Sequence, residues 1–118
     1  MGFWKRFTLV FGISEGILAQ LPILESKMKY ARVISIELKT TEDLETFYNK
    51  WDRWFPENMP KAVNRTLVRT SPNSTLMMAV YESEDIAEQA RKVVQKFFNL
   101  EAKHLHDIIE FHGEVMRD

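Results

Sequence analysis

An α+β sandwich in the order strand, helix, strand, strand, helix, strand is what residues 30–118 predict. Three observations carry this. Apolar residues alternate over 30–38, over two arms at 62–70 and 75–83, and again from Ile108. They fall at helical spacing from Leu44 and once more from Ile86. Each change of period sits beside a cap, turn or breaker: Thr40-Thr41, Pro56 and Pro60, Ser71-Pro72-Asn73-Ser74, and Ser83. Two βαβ-type halves arranged this way make a ferredoxin-like sandwich.

The first strand places Arg32, Ile34, Ile36 and Leu38 on one face, with Ala31, Val33, Ser35 and Glu37 on the other. Thr40 or Thr41 then caps a helix whose first turn holds Glu42 and Asp43, where the helix dipole favours acids. Leu44, Phe47, Tyr48, Trp51, Trp54 and Phe55 form its apolar stripe, and Pro56 with Pro60 is expected to stop it. In the hairpin that follows, Pro72 presets φ and Asn73 suits a left-handed turn position. The second arm alternates Leu76, Met78 and Val80 with Met77, Ala79 and Tyr81, so burial on both faces is expected. Ser83 caps the second helix, which carries Ile86, Ala90, Val93, Val94 and Phe97 and ends near Asn99. Residues 100–107 read equally as a further helical turn or a loop. The last strand alternates Ile109, Phe111, Gly113 and Val115 against Ile108, Glu110, His112 and Glu114.

A length of 118 residues accommodates one domain, assigned to residues 28–118, with residues 1–27 as an N-terminal extension outside the pattern. Hydrophobic residues at 45% and charged residues at 28% describe an ordinary globular chain. A formal net charge of -1, with no basic stripe interleaved with aromatics, argues against a nucleic-acid partner. The chain has no cysteine, which excludes disulfides, thiolate nucleophiles and thiolate metal sites.

The extension opens Met1-Gly2-Phe3-Trp4-Lys5-Arg6 and continues into an apolar run broken at Ser14-Glu15-Gly16. No small-x-small cleavage site follows, so a cytoplasmic location is expected over export. Three readings stay open: a helix over 14–28 burying Ile17, Leu18, Leu21 and Leu24; an extra strand over 6–13; and an aromatic-basic head resting on a membrane surface. Packing on its own or a partner domain is favoured over membrane contact.

Tyr48, Trp51, Trp54 and Phe55 share a helical face and could wall a cavity, although such stripes are most often plain core. Met77, Met78, Phe97, Phe98 and Phe111 offer further apolar lining, and methionine adapts to flexible chains. His104, His106 and His112, with Asp107, Glu110 and Glu114 nearby, are the residue types of an imidazole–carboxylate metal set. A solvated stretch entering an edge strand is the simpler account, and no metal is expected. His112 alone is the better candidate for a general base or a hydrogen-bond donor. No phosphate-cradling glycine loop or serine triad can be assembled.

The strand from Tyr30, the aromatic helix around Trp51, the hairpin at 62–83 and the closing Ile109-Glu110-Phe111-His112-Gly113-Glu114-Val115 together resemble the dimeric α+β-barrel superfamily. That superfamily includes the antibiotic-biosynthesis monooxygenase-like and stress-responsive barrel-like families, and the resemblance covers residues 28–118. It implies a homodimer in which two sheets face each other across a two-fold axis, forming a dimeric α+β barrel. Members include cofactor-independent oxygenases, haem degraders, cyclases and dehydratases. The first strand carries Ser35 and no Asn, which departs from the haem-degrading pattern, and no cofactor is expected.

The resulting expectation is a homodimer that binds a small hydrophobic molecule, fatty-acid-like or aromatic. Its site is assigned to Arg32, Tyr48, Trp51, Trp54, Met77, Tyr81, Phe111 and His112. One alternative is a cofactor-independent monooxygenase acting on an aromatic or polyketide-like substrate, with His112 or Tyr81 as the catalytic polar group. Another is a structural interaction module whose N-terminal segment binds a partner.

Overall fold

Four strands and two helices follow the expected order in the computed structural model, which describes residues 28–118. The three readings of residues 1–27 lie outside the described residues. The elements are β1 (Tyr30–Leu38), α1 (Thr41–Asn58), β2 (Asn64–Ser71), β3 (Ser74–Tyr81), α2 (Glu84–Leu100) and β4 (Leu105–Glu114). The sheet order is β2-β3-β1-β4, and every neighbouring pair is antiparallel. This is the ferredoxin-like βαββαβ arrangement.

Residues directly opposite in an antiparallel pair project to the same side, so the register sorts the sheet into two faces. Tyr30, Arg32, Ile34, Ile36 and Leu38 of β1 share the helix side with Thr75, Met77, Ala79 and Tyr81 of β3, and all are buried. Phe47 and Trp51 of α1 and Val94, Phe97 and Phe98 of α2 complete the main core above Ile34, Ile36 and Met77. A smaller cluster joins Tyr30, Ala79 and Tyr81 to Ala87 and Ala90 of α2.

The second face is different. Met78, Ile109 and Phe111 stand there 44%, 49% and 63% exposed, and none of the described elements covers them. Within a single chain β3 is therefore buried on its helix side alone: Met77, Ala79 and Tyr81 are enclosed, whereas Met78 is not, and the expected burial of its second face needs a cover from outside the described elements. Two helices suffice for only one side of a four-stranded sheet.

Local chemistry sets the boundaries. The Thr40 hydroxyl accepts from the Asp43 N–H at 3.0 Å and so selects Thr40 as the cap of α1. Pro56 does not stop α1, contrary to the sequence expectation, and the helix continues to Asn58. Pro56 lies in the last turn, where one missing N–H interrupts little of the ladder. The stop comes from Pro60, which forces the preceding Met59 into extended geometry, with φ -87° and ψ 143°. Ser83 caps α2 by accepting from the Ile86 N–H at 3.3 Å.

The turn between β2 and β3 is also tighter than expected. It has two residues, Pro72 and Asn73, and among the described residues no non-glycine residue has positive φ. Asn73 works through hydrogen bonds instead. Its side-chain amide donates to the Leu38 carbonyl at 2.9 Å, and its own carbonyl accepts from the Leu38 N–H at 2.8 Å.

The ambiguous stretch after α2 resolves into a short 3-10 turn, Ala102–His104, and then β4, which starts at Leu105. The early start follows from pairing: Leu105 and Asp107 lie opposite Leu38 and Glu37, with an irregularity that accommodates His106. His104 ties this junction back to α1, donating to Asp43 at 2.7 Å. Burial works against the Asp43 anion. The hydrogen bonds from His104 and Thr40 and the charge of Lys39 outweigh it and hold the carboxyl below its ordinary value.

Candidate functional site

The helix side of the sheet carries three distinct environments, and seven of the eight predicted site residues are divided among them. In the first, Trp51 is 3% exposed and engaged on several sides. Its ring centroid lies 5.6 Å from Trp54, 5.5 Å from a stacked Phe55 and 5.4 Å from an edge-on Phe97. These are ordinary aromatic packing distances. The Trp51–Trp54 pair thus belongs to the core between α1 and α2 and does not wall an open cavity.

The second environment is polar and lies between β1 and β4, on the side facing α2. The buried Arg32 guanidinium pairs with the carboxylate of Glu110. Tyr30 and His112 share a hydrogen bond at 2.8 Å between the phenol and Nδ1. On α2, Arg91 grips Glu88 with bonds of 3.1 and 2.6 Å. That bond holds the Glu88 carboxyl below its ordinary range against a desolvation cost, with help from the charge of Arg32. The Glu88 bond likewise raises Arg91, and Glu110 adds to the effect.

Arg32, Met77 and Tyr81 also border an interior cavity, together with Met59, Ala90 and Val94. Its volume is about 10 Å³, room for a single water and not for an organic ligand. Tyr81 is held from the other side, its hydroxyl accepting from Arg65 at 3.2 Å.

The third environment is an open cleft of about 380 Å³ between the first half of α1 and the β2–β3 hairpin. Leu44, Glu45, Tyr48 and Asn49 descend from α1, while Leu67, Arg69 and Thr75 come up from the sheet. Helical spacing explains the first group, since residues three and four apart share a face. Register explains the second: Leu67 lies opposite Met77 and Arg69 opposite Thr75, on the helix side of the sheet. Thr75 is 4% exposed, and its hydroxyl has no hydrogen-bond partner among the described residues. Arg69 is steadied by two carbonyls of the turn, those of Ser71 at 3.4 Å and Pro72 at 2.9 Å. The cleft therefore combines apolar walls with a cation and a buried hydroxyl on its sheet side.

Of the eight predicted site residues, Tyr48 alone lines this cleft. Trp51 and Trp54 are core; Arg32, Met77 and Tyr81 surround the small cavity, and His112 sits beside Tyr30. Phe111 cannot join any of them, because it pairs with Val33 and projects from the opposite face of the sheet. The three histidines also part company: His104 meets Asp43, His112 meets Tyr30, and His106 is exposed at the start of β4. Among the described residues no group of three or more His, Asp and Glu could hold one metal ion. Leu44, Glu45, Asn49, Leu67, Arg69 and Thr75 were outside the predicted set. No local sequence signal marks Arg69 and Thr75, because their meeting depends on the hairpin register and its irregularity.

No family model matches the sequence, and no curated protein matches it. Solved structures do share the fold. A dimeric ferredoxin-like protein from an uncultured marine organism superposes with a TM-score of 0.64 at 13% identity, covering 80% of this chain and 93% of that one. The NE2512 protein of unknown function from Nitrosomonas europaea gives 0.64 at 11% identity, covering 79% and 94%. A mutant form of SnoaB, a cofactor-independent oxygenase from Streptomyces nogalater, gives 0.56 at 18% identity, covering 76% and 95%. At such identities the likeness is one of fold, and it places the chain in the ferredoxin-like α+β class.

Proposed function

We propose that this chain forms a homodimer through its open sheet face and binds a small, largely apolar molecule in the cleft between α1 and the β2–β3 hairpin of each subunit. The cleft carries the reading. Its volume of about 380 Å³ lies within the range of small-molecule sites. Leu44, Tyr48 and Leu67 supply apolar wall there, and Thr75 brings a buried hydroxyl that lacks a partner among the described residues. A polar group left unpaired in this way costs about 1–3 kcal/mol unless something meets it. The ligand is of the fatty-acid-like or aromatic class.

The dimer is supported by the exposed apolar row of Met78, Ile109 and Phe111. A contiguous patch of this kind is unusual on a monomer, and two-fold pairing is the common way to cover it. The structural neighbour described as dimeric points the same way. No described helix is long and apolar enough to cross a membrane; a cytoplasmic location is part of the proposal.

Mass spectrometry of organic extracts from purified protein tests the reading. A retained amphiphile that is lost in Leu67→Trp, which fills the cleft, is the expected result. An empty extract, with no binding of any acid in a chain-length series, would favour the interaction-module alternative.

A second reading, cofactor-independent monooxygenation of an aromatic or polyketide-like substrate, draws on the fold shared with the named oxygenase. In such a reaction one oxygen atom of O₂ enters the substrate and the other leaves as water, the substrate supplying the electrons. Tyr81 and His112 are its polar candidates, each already held by a neighbour. Oxygen uptake on adding a polycyclic hydroquinone, lost in Tyr81→Phe or His112→Ala, is what this reading expects.

A further inference from the structure

Resting on the cleft reading above, we propose that the cleft selects ligands bearing a carboxylate, with Arg69 as the anion-binding residue and the Thr75 hydroxyl as the second donor. The two side chains stand directly opposite one another across the hairpin, on the side of the sheet that faces α1. Opposed residues in an antiparallel ladder have Cβ atoms about 5 Å apart, so both side chains border the same stretch of the cleft.

A guanidinium has five N–H donors. The turn carbonyls of Ser71 and Pro72 take one from Nε and one from Nη2. The remaining donors include the whole Nη1 group, enough for a two-point grip on a carboxylate. The other arginines of this side of the sheet are differently placed. Arg32 is committed to Glu110, Arg91 to Glu88, and Arg65 to the Pro60 carbonyl and the Tyr81 hydroxyl. Among the described residues Arg69 has no acidic partner.

Pre-ordering by the turn lowers the entropic cost of binding, since the guanidinium is already held where it is needed. Glu45 on α1 sorts the orientation: its charge repels an anion on the helix side, so the head group turns toward β2 and β3. The tail then lies along Leu44, Tyr48 and Leu67. At about 380 Å³ the cleft is near the small end of ligand sites and fits a medium-length chain or one to two rings.

Calorimetric titration of the full chain with octanoate and with 1-octanol at neutral pH tests this. Octanoate should bind about tenfold or more tightly than the alcohol, because a hydrogen bond to a charged group contributes that much. Arg69→Gln, a change at an exposed edge-strand position, should remove most of that preference by weakening octanoate far more than octanol. Arg69→Lys should restore it only in part, because a lysine supplies charge without the fork. Thr75→Val should weaken octanoate further, with far-UV circular dichroism confirming the fold of each variant. Equal affinity for acid and alcohol, or an acid preference that survives Arg69→Gln, overturns the carboxylate proposal and leaves the cleft reading intact. Binding of neither probe, nor of longer acids, overturns both.

Discussion

The Arg65 guanidinium lies 5.8 Å from the centre of the Tyr81 ring and donates to the Tyr81 hydroxyl at 3.2 Å. It also lies 5.3 Å from the Phe55 ring and donates to the Pro60 carbonyl at 3.1 Å. One side chain thereby fastens the segment after α1 to the end of β3. Arg65→Met keeps much of the apolar stem but removes the charge and both hydrogen bonds. A loss of about 1–3 kcal/mol is expected, read as a lower urea midpoint with an unchanged m-value. A variant as stable as the parent would show that the clamp contributes nothing net.

Trp51 provides a second test. Its 3% exposure and its ring neighbours Trp54, Phe55 and Phe97 make it a core residue. Trp51→Ala should destabilise by about 3–5 kcal/mol through lost burial and a residual cavity. The ligand-free protein should show the full effect in a denaturant melt. Undiminished stability together with lost ligand binding would return Trp51 to the pocket.

Acid sensitivity should pass through Asp43. Its folded carboxyl sits below the ordinary 3.8 because of His104 and Thr40, although burial opposes this. A depressed acid stabilises the fold above its unfolded pKa, and that contribution is lost as pH falls through the folded value. Asp43→Asn should therefore flatten the decline in stability between about pH 5 and pH 2 relative to the parent. Urea melts across that window measure the difference, and parallel curves would remove Asp43 from the account.

The proposed dimer makes a mass prediction. Sedimentation equilibrium at micromolar concentration should give twice the 13.9 kDa chain mass. Phe111→Glu, placed on the most exposed large apolar side chain of the open sheet face, should shift the equilibrium to monomer by burying an unpaired charge. The chain mass in the parent protein would defeat the proposal.

Element order was legible in the sequence because each element announced its own period and its own cap, and both signals are local. Thr40, Ser83 and the alternation of β1 needed no tertiary information. The cleft was not legible, because it depends on register. A four-residue connection over 71–74 would pair Thr70 with Thr75 and send Arg69 to the opposite face, beside Leu76. The observed two-residue turn, with its irregularity between Arg69 and Ser71, brings Arg69 opposite Thr75 instead. One residue of slip exchanges the faces of a whole strand. Phe111 illustrates a related limit. Its chemistry suits a pocket, but only the pairing with Val33 reveals that it points away from the helices.

The two hydrogen bonds between Asn73 and Leu38 also change what the hairpin tip can tolerate. Exposed loop tips are normally where insertions, new termini and proteolytic nicks do least harm. Here the tip is tied to the last residue of β1, two residues before α1 turns away from the Thr40 cap. An epitope tag or a circular-permutation break between Pro72 and Asn73 would cut that tie and release both walls of the cleft together, so the tip is a poor place to open or extend this chain.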